Sequence, residues 1–579
     1  MTRDEAAIGT PAQPAMPAPR GAADESLASV AHGSRLVAAW VLVSRVSGFG
    51  RVAVAGAVLG PTFFGNLFQL TNSIPALVFG LLFGSLVSAM LVPPLVERLD
   101  RGEPDGARRL ADGVLGIFLV LFVGVAVLGI LLAEPILWLV TAGVPDPDVR
   151  REQMRLGWPL IVVLLPQLPC YALAAVAAAA QQARGRFALA AAAPAVDNLA
   201  AIAVLVAFGL LSGAGQDLRA IEETEAMLLG LGTTGAVALC AALQWWGAAR
   251  AGLRLVPRAG WRQPEIRAMF RMGASSLGST GLASGAYFGL SVVAGFVPGG
   301  VAAFQIANSF VQLPIALTAG ALAVVQLPHL SRTVHEGRMA DFAAIHRSAM
   351  ALVVFTMLPA SLLLVVMPQA LAQAVAFGRM GAPEGIALLA ACIAARGAGA
   401  LAEAVVMLGT SASYARRDSV SPLRAKAIMA AVCVLGMAAA PALHDPVVLM
   451  WVLGGALSLA HVAAAFDLTR RQVRGLPDGA RLGLRPAAVT LLLSALAALP
   501  AWLVLQHAEP LAFLPFGHIQ VAAAAGAAAI AAYLILQFAR GSDELALLLP
   551  RLGHLRRNLG GVRARTSRRP HAAVPGEAP

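Results

Sequence analysis

Lysine is almost missing from this chain: Lys426, in "SPLRAKAIM", stands alone among 579 residues, and no glycine-rich loop precedes it. A phosphate-cradling P-loop needs both, so nucleotide hydrolysis of that kind is excluded. Charge of either sign is scarce, at 13% of residues against roughly 25% in a soluble domain. The four cysteines, Cys170, Cys240, Cys392 and Cys433, each lie in an apolar run, and their spacing builds neither a disulfide framework nor a zinc site. HExxH and GxSxG are absent too. We therefore expect no enzyme chemistry, no metal and no cofactor. The acidic stretch Glu134, Asp146, Asp148 and Glu152 admits a metal-binding loop of a membrane glycosyltransferase, but a solvated face accounts for it more simply.

Apolar residues are what the chain has in excess, at 58%. They recur in runs of about twenty, the length that crosses a hydrocarbon core as a helix. Fourteen spans are expected, near 36–59, 66–92, 113–133, 156–182, 188–212, 226–248, 273–296, 301–328, 348–377, 385–410, 425–441, 447–468, 486–506 and 516–538. The fold class is thus an all-α polytopic membrane protein. A β-barrel is excluded because the runs are continuous and do not alternate. Abundant Ala and Gly let helix backbones approach closely in lipid.

Arginines set the expected orientation. They cluster after the second span (Arg98, Arg101, Arg108, Arg109), the sixth (Arg250 to Arg271) and the twelfth (Arg470 to Arg485), whereas the opposite connections are acidic or nearly uncharged. Positive loops stay inside, so both termini are expected in the cytoplasm. The net charge of +12 is then topological, and no nucleic-acid partner follows from it. Residues 1–34 read as a disordered cytoplasmic tail, 35–248 and 249–470 as two six-helix lobes, 471–540 as two further spans and 541–579 as a basic tail. That last tail either is simply solvated or touches anionic membrane lipids.

The lobes are suggested by a repeat. "FQLTNS" at 68–73 returns as "FQIANS" at 304–309, 236 positions later, and Pro75 and Pro93 are answered by Pro314 and Pro328. Six spans separate the copies, so both run in the same direction, as in a parallel repeat of a transporter. Gln69, Asn72, Gln305 and Asn308 are costly against lipid. Either they bond between helices or they face a cavity; four amides in matched register favour the cavity, with the two copies presenting them to one another.

Ionisable residues inside the spans are few. "VSRVSGFGRVAVAG" puts Arg45 and Arg51 deep in the first span, with Gly48 and Gly50 between them. Buried arginines either bond to neighbouring carbonyls or hold an anion, and the planar guanidinium suits phosphate. Asp197, beside Asn198, pairs with one of these arginines, serves a coupling ion or is structural. Arg396 and Glu403, seven apart, share a face of the tenth span and read first as an ion pair, then as a gating or proton site. His461 reads as a buried hydrogen-bonding residue before a proton relay. Pro93–Pro94 and Pro328–His329 are expected to end their helices.

"SRVSGFGR" at 44–51, "LVPPLVERL" closing the second span, "RFALAAAAPAVDN" at 186–198, "LPHLSR" at 327–332 and "YARRDSVSP" at 414–422 resemble the MviN-like lipid II flippase family of the multidrug/oligosaccharidyl-lipid/polysaccharide exporters. The resemblance implies two pseudo-symmetric six-helix lobes with two C-terminal helices that shelter a lipid tail. It also implies carriage of an undecaprenyl-diphosphate-linked sugar peptide to the outer leaflet of a bacterial cytoplasmic membrane, with cell-wall synthesis proteins as further partners. Arg45 and Arg51 match cavity arginines that hold the diphosphate; Asn66, Gln69, Asn72, Gln305, Asn308 and Ser309 would bond sugar or phosphate oxygens. A family cation of the second helix falls on Phe79 or Gly80, another of the eighth on Ser309, and an acid on Asn66. Another lipid-linked glycan, a small amphipathic compound, or a non-transporting scaffold role are the other readings.

Overall fold

The computed structural model describes residues 20–82, 86–260, 264–474, 484–507 and 516–548. Residues 1–19, 475–483 and 549–579, which include most of both expected tails, lie outside the described residues. The first part of the chain forms α1 (Arg20–Leu59), α2 (Phe63–Leu82), α3 (Leu86–Asp100), α4 (Pro104–Leu131), α5 (Ala133–Thr141), α6 (Pro147–Leu164), α7 (Gln167–Ala183), α8 (Ala188–Leu211) and α9 (Glu223–Arg250). The second forms α10 (Pro264–Ala294), α11 (Gly300–Ile315), α12 (Ala321–His335), α13 (Met339–Val366), α14 (Pro368–Val375), α15 (Pro383–Gly397), α16 (Ala400–Ala415), α17 (Val420–Ala439) and α18 (Pro446–Arg474). Then come α19 (Leu484–His507) and a last long helix, Gly517–Arg540. Helices satisfy every backbone group within the segment, which hydrocarbon requires.

Each expected span contains helix, but the expected number is not established. Eleven helices among the described residues are long and apolar enough to cross a membrane, or twelve if α15 and α16, which meet at 46°, form one span. At α2 the polar Asn66, Gln69 and Asn72 interrupt the apolar run, and of α10 only Thr280–Ala294 enters that count.

Two local expectations change. Helix α1 begins at Arg20, inside the stretch expected to be disordered; beyond Pro19 that stretch has no proline and is rich in alanine, which favours helix. Pro93 and Pro94 lie within α3, and Pro328 within α12, instead of ending them. Leu91 and Leu95 of α3 and Leu330 of α12 are fully buried, so packing carries each helix past its missing N–H groups.

The described residues bury two large cores. One draws on α1 to α9 and includes Phe64, Leu115, Phe118 and Leu168; the other draws on α10 to α18 and includes Phe304, Val353, Ile393 and Leu453. Helix α19 and the last long helix pack on α13 and α14 and on each other. The segment 251–260, which leads from the first half to α10, is strapped to α4. Asp112, 1% exposed, accepts from the Val256 N–H at 2.8 Å, and its own carbonyl accepts from the Arg258 N–H at 3.1 Å.

The halves meet through α1 and α2 on one side and α10 and α11 on the other. At the end where α1 turns into α2 they are clasped. Asn66 donates to the Gly295 and Val297 carbonyls at 3.2 and 2.6 Å and accepts from the Val301 N–H at 3.2 Å. Arg379, between α14 and α15, donates through Nε to the Ala214 carbonyl at 2.9 Å. Two glycines make this approach possible. Gly299, at φ +75°, would set a Cβ 2.4 Å from Pro61 Cα, and Gly378, at φ +60°, would set one 2.6 Å from the Ala57 carbonyl oxygen.

Candidate substrate cavity

Behind the clasp, two adjoining cavities occupy the seam between the halves. The first, about 500 Å³, is walled by Ser73 of α2, Tyr287 of α10, Gln305, Asn308 and Gln312 of α11, Arg396, Glu403 and His461. The second, about 530 Å³, lies between α1, α8 and α11, with Ser44, Arg45, Ser309 and Gln312 as its polar residues. Gln312 belongs to both walls.

Helix α11 is placed to serve both cavities because it is short and distorted. Pro314 removes an N–H near its end, and the backbone widens into a π turn at Ala316–Gly320, where Thr318 Oγ1 donates to the Pro314 carbonyl at 2.7 Å. Ahead of that turn Gln305, Asn308 and Gln312, at i, i+3 and i+7, share one cavity-facing stripe.

The two arginines of α1 differ. Arg45 is exposed on the second cavity, and no carboxylate among the described residues lies within ion-pair distance of it. It stands fourteen residues before the end of α1 at Leu59, about 20 Å along the axis. Arg51 is paired instead: its Nη1 is 3.7 Å from Asp197 Oδ2 of α8, with 37% of the arginine side chain exposed. The other oxygen, Oδ1, is buried without a hydrogen bond. Gly48 brings α1 against α8, where a Cβ would lie 3.3 Å from Asn198 Nδ2. That amide donates to the Ser44 carbonyl at 3.1 Å and to Ser47 Oγ at 3.2 Å. The close approach at Gly48 is thus to a neighbouring helix.

The repeated amides do not face one another. Gln305 and Asn308 line the first cavity, but Asn72 accepts from Gln167 of α7 at 3.3 Å, within its own half. Gln69 is 6% exposed, and neither of its side-chain polar atoms has a partner. Asn66 is spent on the clasp. Its three bonds hold the α10–α11 turn, and at 1% exposed it lines neither cavity. Ser309 Oγ donates to the Gln305 carbonyl at 2.9 Å and keeps its oxygen lone pairs for the second cavity.

Arg396 and Glu403 do pair, at 2.8 Å, but across the bend between α15 and α16 and not along one helix face. Arg396 is 0% exposed and also donates to Asn308 Oδ1 at 3.0 Å. Glu403 accepts from Gln312 at 2.6 Å. His461 Nδ1 is 2.8 Å from the Leu457 carbonyl, while its Nε2 stands 3.8 Å from Glu403.

A second correspondence between the halves lies beyond the FQLTNS–FQIANS repeat. Gln167 and Glu403 are also 236 positions apart, and each bonds to the α2 or α11 face of its own half. In the first half the group is neutral: Gln167 donates to Asn72 and to Thr234 Oγ1 and accepts from the Tyr171 hydroxyl. Extending the repeat beyond its first two spans exposes the match.

Against known proteins, residues 55–511 match the family described as lipid II flippase MurJ. The chain belongs to that family. A probable lipid II flippase MurJ of Rhizobium tropici is 26% identical over 68% of this chain and 72% of its own length. One from Rhizobium meliloti strain 1021 is 24% identical over 66% and 70%. Among solved structures, a lipid II flippase MurJ in an inward closed conformation superposes with a TM-score of 0.67 at 14% identity, covering 89% of this chain and 99% of that one. An inward-facing multidrug resistance MATE transporter of the MOP superfamily gives 0.59 at 16% identity over 75% and 94%. MurJ membership makes the chain a multi-pass lipid II flippase of the bacterial inner membrane.

Proposed function

We propose that this chain moves lipid II from the inner to the outer leaflet by exposing the cleft between its halves to one side at a time. The observation that carries the reading is Arg45: a guanidinium without a carboxylate, on the wall of a cavity, about 20 Å from the helix end. A cation in such a place needs an anion, and a diphosphate offers two bidentate partners. Ser309 and Gln312 face Arg45 across the same space, and Gln305 and Asn308 lie next door for sugar or peptide groups. Arg51, already engaged by Asp197, acts as a reserve that the cargo competes for.

The poorly charged connections, among them 60–62, 213–217 and 376–382, belong to the clasped end, so we take that end as external and both termini as cytoplasmic. In this conformation the route to the cleft then runs from the cytoplasmic leaflet. An apolar groove of about 280 Å³ between α13, α19 and the last long helix, lined by Pro359, Leu363, Ala497 and Ile530, suits part of the lipid tail. Membrane potential, worth about 2.3 kcal/mol per charge per 100 mV, is one source of drive.

The test is labelled lipid II in proteoliposomes, together with growth of a strain depleted of its own flippase. Wild type flips and restores growth; Arg45→Ala, inserted at the same level, does neither. Growth and flipping by Arg45→Ala at wild-type rates would end the reading.

A further inference from the structure

Among the described residues, the cluster of Arg396, Glu403 and His461 is not repeated at the matching place of the first half, where Gln167 fills the place of Glu403 with neutral hydrogen bonds alone. The fold at that position thus requires a hydrogen-bonding side chain and no charge. We propose that the His461 Nε2, held beside Glu403 on the wall of the first cavity, is a proton-binding site whose occupancy raises the cleft's affinity for an anionic headgroup.

The geometry leaves one nitrogen for the task. Nδ1 lies 2.8 Å from the Leu457 carbonyl, a contact that requires Nδ1 to carry the hydrogen, so Nε2 holds the lone pair. A carboxylate oxygen of Glu403 lies 3.8 Å from it. Hydronium gives its proton to that lone pair and leaves as water, no hydrogen bond of the protein is lost, and an imidazolium–carboxylate pair results. Arg396 and Glu403 also line this wall, as does Tyr287 of α10. Cys392 of α15 and Cys433 of α17 are the titratable groups buried near Arg396. From α11 come the neutral Gln305, Asn308 and Gln312. Without the extra proton, Arg396 and Glu403 cancel; with it, the wall carries one net positive charge. Gln312 bonds to Glu403 and also reaches the cavity of Arg45, so the added charge adjoins the proposed diphosphate position. Linkage is reciprocal: if the proton favours the anion, the anion favours the proton.

This inference rests on the cleft being the cargo site, and the experiment separates the two. Lipid II, whose diphosphate is a diester with no proton to gain in this range, is titrated onto the purified full chain at about pH 5 and about pH 8. Wild type is expected to bind at least about fivefold tighter at the lower pH. His461→Gln fixes the wall as neutral and binds weakly at both. Glu403→Gln, which copies Gln167, leaves Arg396 uncancelled and binds tightly at both. A pH dependence that survives in His461→Gln, or weak binding by Glu403→Gln in folded protein, overturns the proposal. So does a side-chain nitrogen NMR signal of His461 that fails to titrate over this range. If wild type shows no pH dependence yet Arg45→Ala still abolishes binding, the proton site fails and the cargo site stands; if Arg45→Ala binds normally, the cargo site fails.

Discussion

Arg45 and Arg51 lie six residues apart on one helix, but among the described residues only Arg51 has a carboxylate partner. The Arg51–Asp197 contact is long, and the arginine is more than a third exposed, so solvent screens it and the coupling is about 1 kcal/mol or less. A double-mutant cycle of Arg51→Ala and Asp197→Ala on thermal stability is expected to return that small value, whereas a coupling several times larger would mean a dry pair. Asp112 is different. It is buried and bonds the strap, so Asp112→Ala, which leaves the Val256 N–H without its acceptor, is expected to cost about 1–3 kcal/mol, read as a lowered unfolding midpoint. Burial pushes the Asp418 carboxyl up, but the Ser421 hydroxyl and the Ser421 and Val420 N–H groups outweigh it and hold it below its ordinary range. Because the folded value is the lower one, this stabilisation is present above the ordinary carboxylate range and fades as pH falls through the depressed value. Asp418→Ala should therefore cost about 1 kcal/mol at neutral pH, and its gap from wild type should close in acid.

At the scale of elements, the clasp decides which side of the cleft is shut. Asn66→Ala removes the three bonds that tie α2 to the α10–α11 turn and shifts the balance toward the parted state by about 2 kcal/mol. A Ser73→Cys probe in a chain stripped of its own cysteines reports this: labelling through the clasped end should be several-fold faster with Asn66→Ala, and an unchanged rate would show the clasp to be incidental. The spans were legible in the sequence because about twenty apolar residues in a row have few other uses. Asn66 was read as a ligand because its real partners are backbone groups more than 200 residues away, and no side-chain pattern marks a carbonyl. The Arg396–Glu403 pair was legible from spacing alone, although the bend at Ala398–Gly399 was not: a helix wheel assumes a straight axis. Gln167 stayed hidden because the repeat was followed through only one pair of spans.

For the whole molecule, the lobes themselves were visible as a repeat, while their contact surface was not, since the matched amides diverge into a cavity on one side and a closed network on the other. That asymmetry carries the chemistry: the first half supplies the cation of α1, and the second supplies the charged cluster and the amides of α11. The two extra helices add a mechanical asymmetry. Tyr533 of the last long helix donates to the Phe355 carbonyl of α13 at 2.8 Å, and that pair of helices rests on α13 and α14. They ride with the second half as ballast. A body that drags more lipid turns more slowly, so when the seam opens the lighter first half should sweep the wider arc through the bilayer while its partner stays nearly at anchor.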